Sequence, residues 1–239
     1  MDRHKSNRLF FVLYGSTHAL YILMIQILEV DGVMLNFKER RILSDIYLRS
    51  ETGMITGILG RNGCGKSCLM QIIFGTLPAK SCSVRINGQF YAKGHTSGKI
   101  QYLPQFHFIP LGMRLGTMFR DFKVDFNILS QHFPLLLLSP SDYFDTLSGG
   151  TKRIVETLLI LFTPGYFVML DEPFTHIMPL YVEKIIELIH TAKERKGIII
   201  SDHLYQNVWN IADVVYLIQQ GKSHIATDMH DLQRLGYIR

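Results

Sequence analysis

Cysteine is scarce in this chain of 239 residues, and the three present (Cys64, Cys68 and Cys82) are an odd number with no C-x-x-C pair. That excludes a disulfide framework and a thiolate metal centre, and it makes a reduced cytosolic setting the default expectation. Basic blocks are also missing. The formal net charge is +5, but the Lys and Arg residues are scattered, so direct binding to nucleic acid is not expected. No heptad stretch is present, which removes long coiled coils. No uninterrupted apolar run reaches membrane-spanning length: Phe133–Leu138 is far too short, and Leu9–Leu28 is broken by Gly15-Ser16-Thr17-His18 and Gln26. The basic Met1–Arg8 followed by that apolar run has the outline of a signal peptide or membrane anchor. No small-residue cleavage site follows it. Residues 1–23 are therefore expected to be an extension, with Met24 as the physiological start, because Met24–Val30 already reads as a strand. The whole chain is rich in apolar residues (47%) and modest in charge (19%), which suits an α/β protein with a generous core and argues against disorder.

The most informative stretch is Gly60-Arg61-Asn62-Gly63-Cys64-Gly65-Lys66-Ser67, which fits G-x-x-x-x-G-K-[ST] at every specified position. A short apolar strand, Met54–Leu59, precedes it, and a helix from Cys68 to about Phe74 follows, ending near Gly75. Glycines let the backbone curl around an anion, and the helix N-terminus adds partial positive charge. In such a loop Lys66 reaches terminal phosphates and the Ser67 hydroxyl holds Mg²⁺. Cys64 sits inside the loop, where it is either oxidisable or simply a small residue.

Upstream, strands are expected at Ile25–Val30, Gly32–Phe37 and Ile42–Leu48, forming an antiparallel patch. Phe37 is either an aromatic that stacks on a base or a core residue. Downstream come strands at Ser83–Asn87 and Gly98–Leu103, then Pro104-Gln105. Residues 106–146 are Phe- and Leu-rich and divided by Pro110, Pro134 and Pro140, which reads as a small inserted helical subdomain. Leu147-Ser148-Gly149-Gly150-Thr151 opens a helix through Leu161. The apolar strand Tyr166–Leu170 ends in Asp171-Glu172, placing two carboxylates at the C-terminal edge of a buried parallel strand, where ligands of open α/β sheets bind. A helix near Leu180–Arg195 follows, then a strand Gly197–Ile200 ending in Ser201-Asp202-His203. A short helix (Leu204–Ile211), strands Val214–Ile218 and Ser223–Ala226 and a final helix complete a mostly parallel sheet with helices on both faces.

With Phe37, the loop at 60–67, Gln105, Leu147-Ser148-Gly149-Gly150, Asp171-Glu172 and His203 in this order, the chain resembles the ATP-binding-cassette (ABC) ATPases, in particular the nucleotide-binding subunits of ABC transporters. The resemblance covers residues 24–239. It implies a single ABC ATPase domain on a phosphate-loop core, with 24–104 and 151–239 as α/β core and 105–150 as the helical subdomain. It also implies ATP and Mg²⁺ as ligands. Nucleotide contacts fall on Phe37 and on Gly60, Arg61, Asn62, Gly63, Cys64, Gly65, Lys66, Ser67 and Cys68. Mg²⁺ is held by Ser67, Gln105 and Asp171, and catalysis rests on Lys66, on Glu172 as general base and on His203 at the γ-phosphate. Ser148, Gly149 and Gly150 face the ATP of a partner subunit, so two ATP molecules are sandwiched in a head-to-tail homodimer or heterodimer.

That architecture implies an ATPase that drives a separate integral membrane transporter subunit, located in the cytoplasm on the inner face of the cell membrane. The alternative is an ABC-type ATPase with a regulatory or nucleic-acid-linked role. Two departures stand out. Thr151 replaces the usual Gln, and Met178 replaces an Asp that couples the two sites of the dimer.

Overall fold

The computed structural model describes residues 9–10 and 23–238. The expectations for residues 1–23 therefore lie largely outside the described residues. Of that stretch, Leu9–Phe10 (β1) pairs antiparallel with Leu23–Met24 (β2). Strands Ile27–Phe37 (β3), Arg40–Glu51 (β4) and Ile55–Leu59 (β5) follow. After helix Lys66–Phe74 (α1) come Ser81–Ile86 (β6), Gln89–Tyr91 (β7) and Ile100–Leu103 (β8). Helices Leu115–Asp121 (α2) and Asn127–His132 (α3) are short, and Gly149–Phe162 (α4) is long. The remainder alternates: Phe167–Asp171 (β9), Pro179–Lys193 (α5), Gly197–Ser201 (β10), Tyr205–Trp209 (α6), Val214–Gln219 (β11), Lys222–Ala226 (β12) and Met229–Arg234 (α7).

Ten strands form one sheet in the order β7-β6-β3-β4-β12-β11-β5-β10-β9-β8. One end, β11-β5-β10-β9-β8, is parallel. The other, β7-β6-β3-β4, is antiparallel, and β12 joins the two. The two upstream strands expected at 25–30 and 32–37 are in fact one. Gly32 adopts φ +61°, and the β3–β4 register shifts between Val30 and Val33, so the glycine marks a bulge within a continuous strand rather than a turn.

The parallel strands are buried on both faces. In β9, Val168 and Leu170 face one apolar cluster, while Phe167 and Met169 face the other. Ile198 and Ile200 against Ile199 in β10 divide in the same way, as do Val215 and Leu217 against Tyr216 and Ile218 in β11. Helix α1 covers one face through Leu69, Met70, Ile72 and Ile73. Helices α4 and α5 cover the other, together with Leu115, Met118, Phe119 and Phe133 from the 106–147 segment. Among the described residues no helix is long and apolar enough to cross a membrane.

Candidate nucleotide site

Parallel neighbours deliver their C-terminal ends to the same edge of the sheet. For β5, β10, β9 and β8 those ends lead into the phosphate loop, Ser201-Asp202-His203, Asp171-Glu172 and Pro104-Gln105. Register makes the juxtaposition close: Ser201 pairs with Asp171, and Leu103 with Leu170.

The loop curls through Gly60 (φ +153°), Gly63 (φ +76°) and Gly65 (φ +105°). Gly65 also has to be small, because a Cβ there would lie 2.8 Å from Leu43 Cδ2. It begins α1 with no side-chain cap and no acidic residue in the first turn, leaving the N-terminal N–H groups unopposed. At the far end Gly75 (φ +97°) closes the helix by donating to Gln71 O at 2.8 Å. The Lys66 ammonium is buried and donates to two backbone carbonyls, Gly60 O at 2.8 Å and Arg61 O at 3.5 Å. A buried cation held by carbonyls inside a ring of N–H donors is a donor set that fits polyphosphate. Arg61, Asn62 and Gly63 are exposed along the loop rim, and Ser67 and Cys68 are half-buried in the first turn of α1. Burial pushes the Cys64 and Cys68 thiols up; for Cys68 the Asp171 charge adds to the effect, so neither is a reactive thiolate.

The Asp171 carboxylate is buried and accepts from Ser201 Oγ at 2.8 Å and from the Tyr102 hydroxyl at 3.3 Å. Burial first, and then Asp171, drive the Tyr102 phenol far up, keeping it a neutral donor. Glu172 turns the chain with φ +56°, and Oε2 of its buried carboxylate meets two side chains from other strand ends. Gln105 Nε2 donates to it at 2.8 Å, and His203 Nε2 lies 2.7 Å away. Three expected site residues from three strand ends thus converge on one oxygen atom. Next to them, burial raises the Asp202 carboxyl, whose Oδ1 accepts from Leu204 N at 3.0 Å. Among the described residues no cluster of three or more His, Cys, Asp or Glu could hold a metal by itself. A hydroxyl and one carboxylate completed by substrate phosphates is the arrangement Mg²⁺ favours, and Ser67 and Asp171 fit it.

Phe37 lies at the end of β3 opposite Arg40, about half exposed and outside both apolar clusters, so the core alternative for it falls. Ser148 and Gly149 are exposed at the start of α4, where the Ser148 hydroxyl accepts from Thr151 N at 3.2 Å and shares a hydrogen with Thr151 Oγ1 at 2.8 Å. Met178 is 63% exposed just ahead of α5. A neighbour missed from sequence is the carboxyl-terminal segment: Arg61 Nη2 donates to Gly236 O at 2.8 Å, and Gln219 Nε2 donates to Leu235 O at 2.5 Å. Also missed were Tyr102, Ser201 and Arg153. Their signals are weak in sequence: a tyrosine and a serine in apolar strands, and an arginine at the start of the buried run of α4.

This fold, with a glycine-rich loop between β5 and α1 and two carboxylates at the end of β9, defines the chain as a phosphate-loop nucleotide hydrolase. Residues 43–175 match the family described as ABC transporter. An uncharacterised ABC transporter ATP-binding protein of Rhizobium meliloti is 30% identical over 209 residues, covering 80% of this chain and 76% of that protein. The lipopolysaccharide export system ATP-binding protein of Haemophilus influenzae is 26% identical over 215 residues, covering 82% of this chain and 88% of its own length. A solved structure of an ATP-binding subunit of an ABC transporter superposes with a TM-score of 0.77 at 21% identity, covering 89% of this chain and 94% of that one, and shows the shared fold. The chain belongs to the ABC transporter family and is an ATP-binding, ATP-hydrolysing cassette of the kind that serves as a transporter's nucleotide-binding subunit.

Proposed function

We propose that residues 24–239 form one ATPase domain whose hydrolysis, carried out at the strand ends, drives a separate membrane subunit from the cytoplasmic face of the cell membrane. The observation that carries this reading is the meeting of Gln105, Glu172 and His203 at a single carboxylate oxygen beside the phosphate loop. Lys66 and the α1 N–H groups hold the β- and γ-phosphates, Phe37 stacks on the base, and Arg61 to Cys68 line the remainder. Ser67, Asp171 and Gln105 hold Mg²⁺, which when bound neutralises charge on the phosphate oxygens. Glu172 takes the proton of a water whose oxygen bonds to the γ-phosphorus, while the bond to the bridging oxygen breaks and ADP leaves. Gln105 fixes the orientation of the carboxylate. His203, about half exposed, is free to turn from Glu172 to the γ-phosphate.

Ser148, Gly149 and Gly150 present a second anion site, which in a head-to-tail dimer is filled by the nucleotide of the partner. Met178 carries no charge with which to couple the two sites, so they fire more independently than in relatives with an aspartate, and a non-identical partner is accommodated.

Two outcomes are expected. Saturating ATP with Mg²⁺, at about 100 times its dissociation constant, stabilises the fold by about 2.7 kcal/mol. For a chain of this size that is a rise of about 5–10 °C in melting temperature, and Lys66→Ala abolishes it. Tagged Glu172→Gln protein, purified with ATP from its native membranes, is expected as two ATPase copies bound to a polytopic membrane protein. Recovery as a monomer with no membrane protein would sink the transporter reading.

A further inference from the structure

Arg153 is only 3% exposed, on α4 one turn beyond its start; its Nη groups donate to backbone rather than to a carboxylate, and its buried Nε has no partner among the described residues. Nη1 donates to Pro104 O at 2.6 Å, and Nη2 donates to Asp171 O and, at 3.0 Å, to Glu172 O. One planar fork therefore spans the two segments whose side chains meet at Glu172 Oε2: the carbonyl just before Gln105, and the carbonyls of the carboxylate pair. Glu156, on the same face of α4, secures the other side of Gln105. Its carboxylate accepts from Phe108 N at 3.1 Å, lies 2.8 Å from His107 Nδ1, and sits 3.9 Å from Arg153 Nη1 as its nearest counter-charge.

The Glu172 backbone adopts φ +56°, a region that costs a non-glycine residue free energy and persists only where the surroundings over-determine it. The constraints here are visible. The Glu172 N–H donates to Ser201 O at 2.8 Å, and its carbonyl is held by Arg153. With its N–H tied to β10 and its carbonyl tied to α4, the backbone from which the carboxylate reaches Gln105 is fixed. A lysine cannot reproduce this, because one ammonium does not offer a rigid fork to carbonyls on two separate segments.

We infer that Arg153 is a positioning residue for ATP hydrolysis: it sets the Glu172 backbone and the Gln105 segment in register with each other, and it ties both to the helix that begins with Ser148-Gly149-Gly150. The inference rests on Glu172 being the general base. Misplacing a reacting group by about 1 Å costs on the order of 100-fold, so Arg153→Met should lower kcat by about 10–100-fold, and Arg153→Lys should recover little of it. Affinity for nucleotide measured without Mg²⁺ should stay within about threefold of the parent, because Arg153 bonds neither the loop nor α1.

The test measures phosphate release per nucleotide-binding site, so that unfolded molecules are not counted, for both Arg153 variants on the parent and on the Glu172→Gln background. A residue that acts through Glu172 has little left to disturb once that carboxylate is gone. The expected loss is at least about tenfold on the parent and under about twofold on Glu172→Gln. Equal losses on both backgrounds would assign Arg153 a general structural role and overturn the inference, as would parental turnover in Arg153→Met. If Arg153→Met yields no folded protein, Arg153→Lys decides by the same comparison. Should Glu172→Gln itself turn over normally, it is the base assignment that fails, an outcome separate from either of these.

Discussion

Glu172→Gln is expected to reduce ATP turnover by about 100- to 10,000-fold, the usual contribution of a general base, with nucleotide affinity nearly unchanged. The geometry makes this a clean subtraction. Glu172 Oε2 receives Gln105 Nε2 at 2.8 Å and His203 Nε2 at 2.7 Å, and an amide with its oxygen in that place keeps both contacts while losing its basicity. The buried carboxylate becomes a neutral group of the same shape, so the fold should not weaken. Steady-state phosphate release, set beside equilibrium binding of a fluorescent ATP analogue, separates the two quantities. Turnover within tenfold of the parent would remove Glu172 from the role of base.

Gly149→Ala and Gly150→Ala, one residue apart, should fail in opposite ways. A Cβ on Gly150 would lie 2.5 Å from His176 O, a backbone atom that cannot step aside, whereas one on Gly149 meets nothing within 4 Å. Gly150→Ala therefore overpacks the contact between α4 and the segment after Glu172, at a cost of about 1–3 kcal/mol, only partly offset by the better helix propensity of alanine. Its melting temperature should fall by several degrees. Gly149→Ala relieves a helical glycine without a clash, so its melting temperature should hold or rise by a few degrees. Among the described residues nothing covers the bare surface at Gly149. If a partner's phosphate approaches there, the added methyl group should cut turnover by about 10- to 100-fold in a protein more stable than its parent. A Gly149→Ala protein with parental turnover would defeat the head-to-tail arrangement.

Contiguity decided what the sequence revealed. The phosphate loop, the Asp171-Glu172 pair and the flanking strands are local patterns, so their placement and order could be read directly. The sorting of β9 residues between two cores could not, because a strand covered on both faces is a continuous apolar run with no alternation to read. Strand β7 was missed although its cue was present: Asn87 (φ +52°) and Gly88 (φ +80°) form the left-handed pair of a tight hairpin. Gly32 misled in the opposite sense, since a glycine that permits a bulge and one that ends a strand look alike in one dimension. Tyr102 and Arg153 reach the carboxylate pair only through folding. Their partners lie 69 residues away for Tyr102 and 18 to 49 residues away for Arg153, and no spacing rule links them.

The prop beneath Arg61 has a practical side. Its acceptor, the Gly236 carbonyl, lies 175 residues downstream, yet it forms part of the phosphate-loop rim. A change of backbone at Gly236 therefore reaches Arg61 of the glycine-rich loop directly. Substitutions at Leu235 or Gly236 should register as changes in ATP affinity, although the loop itself is intact.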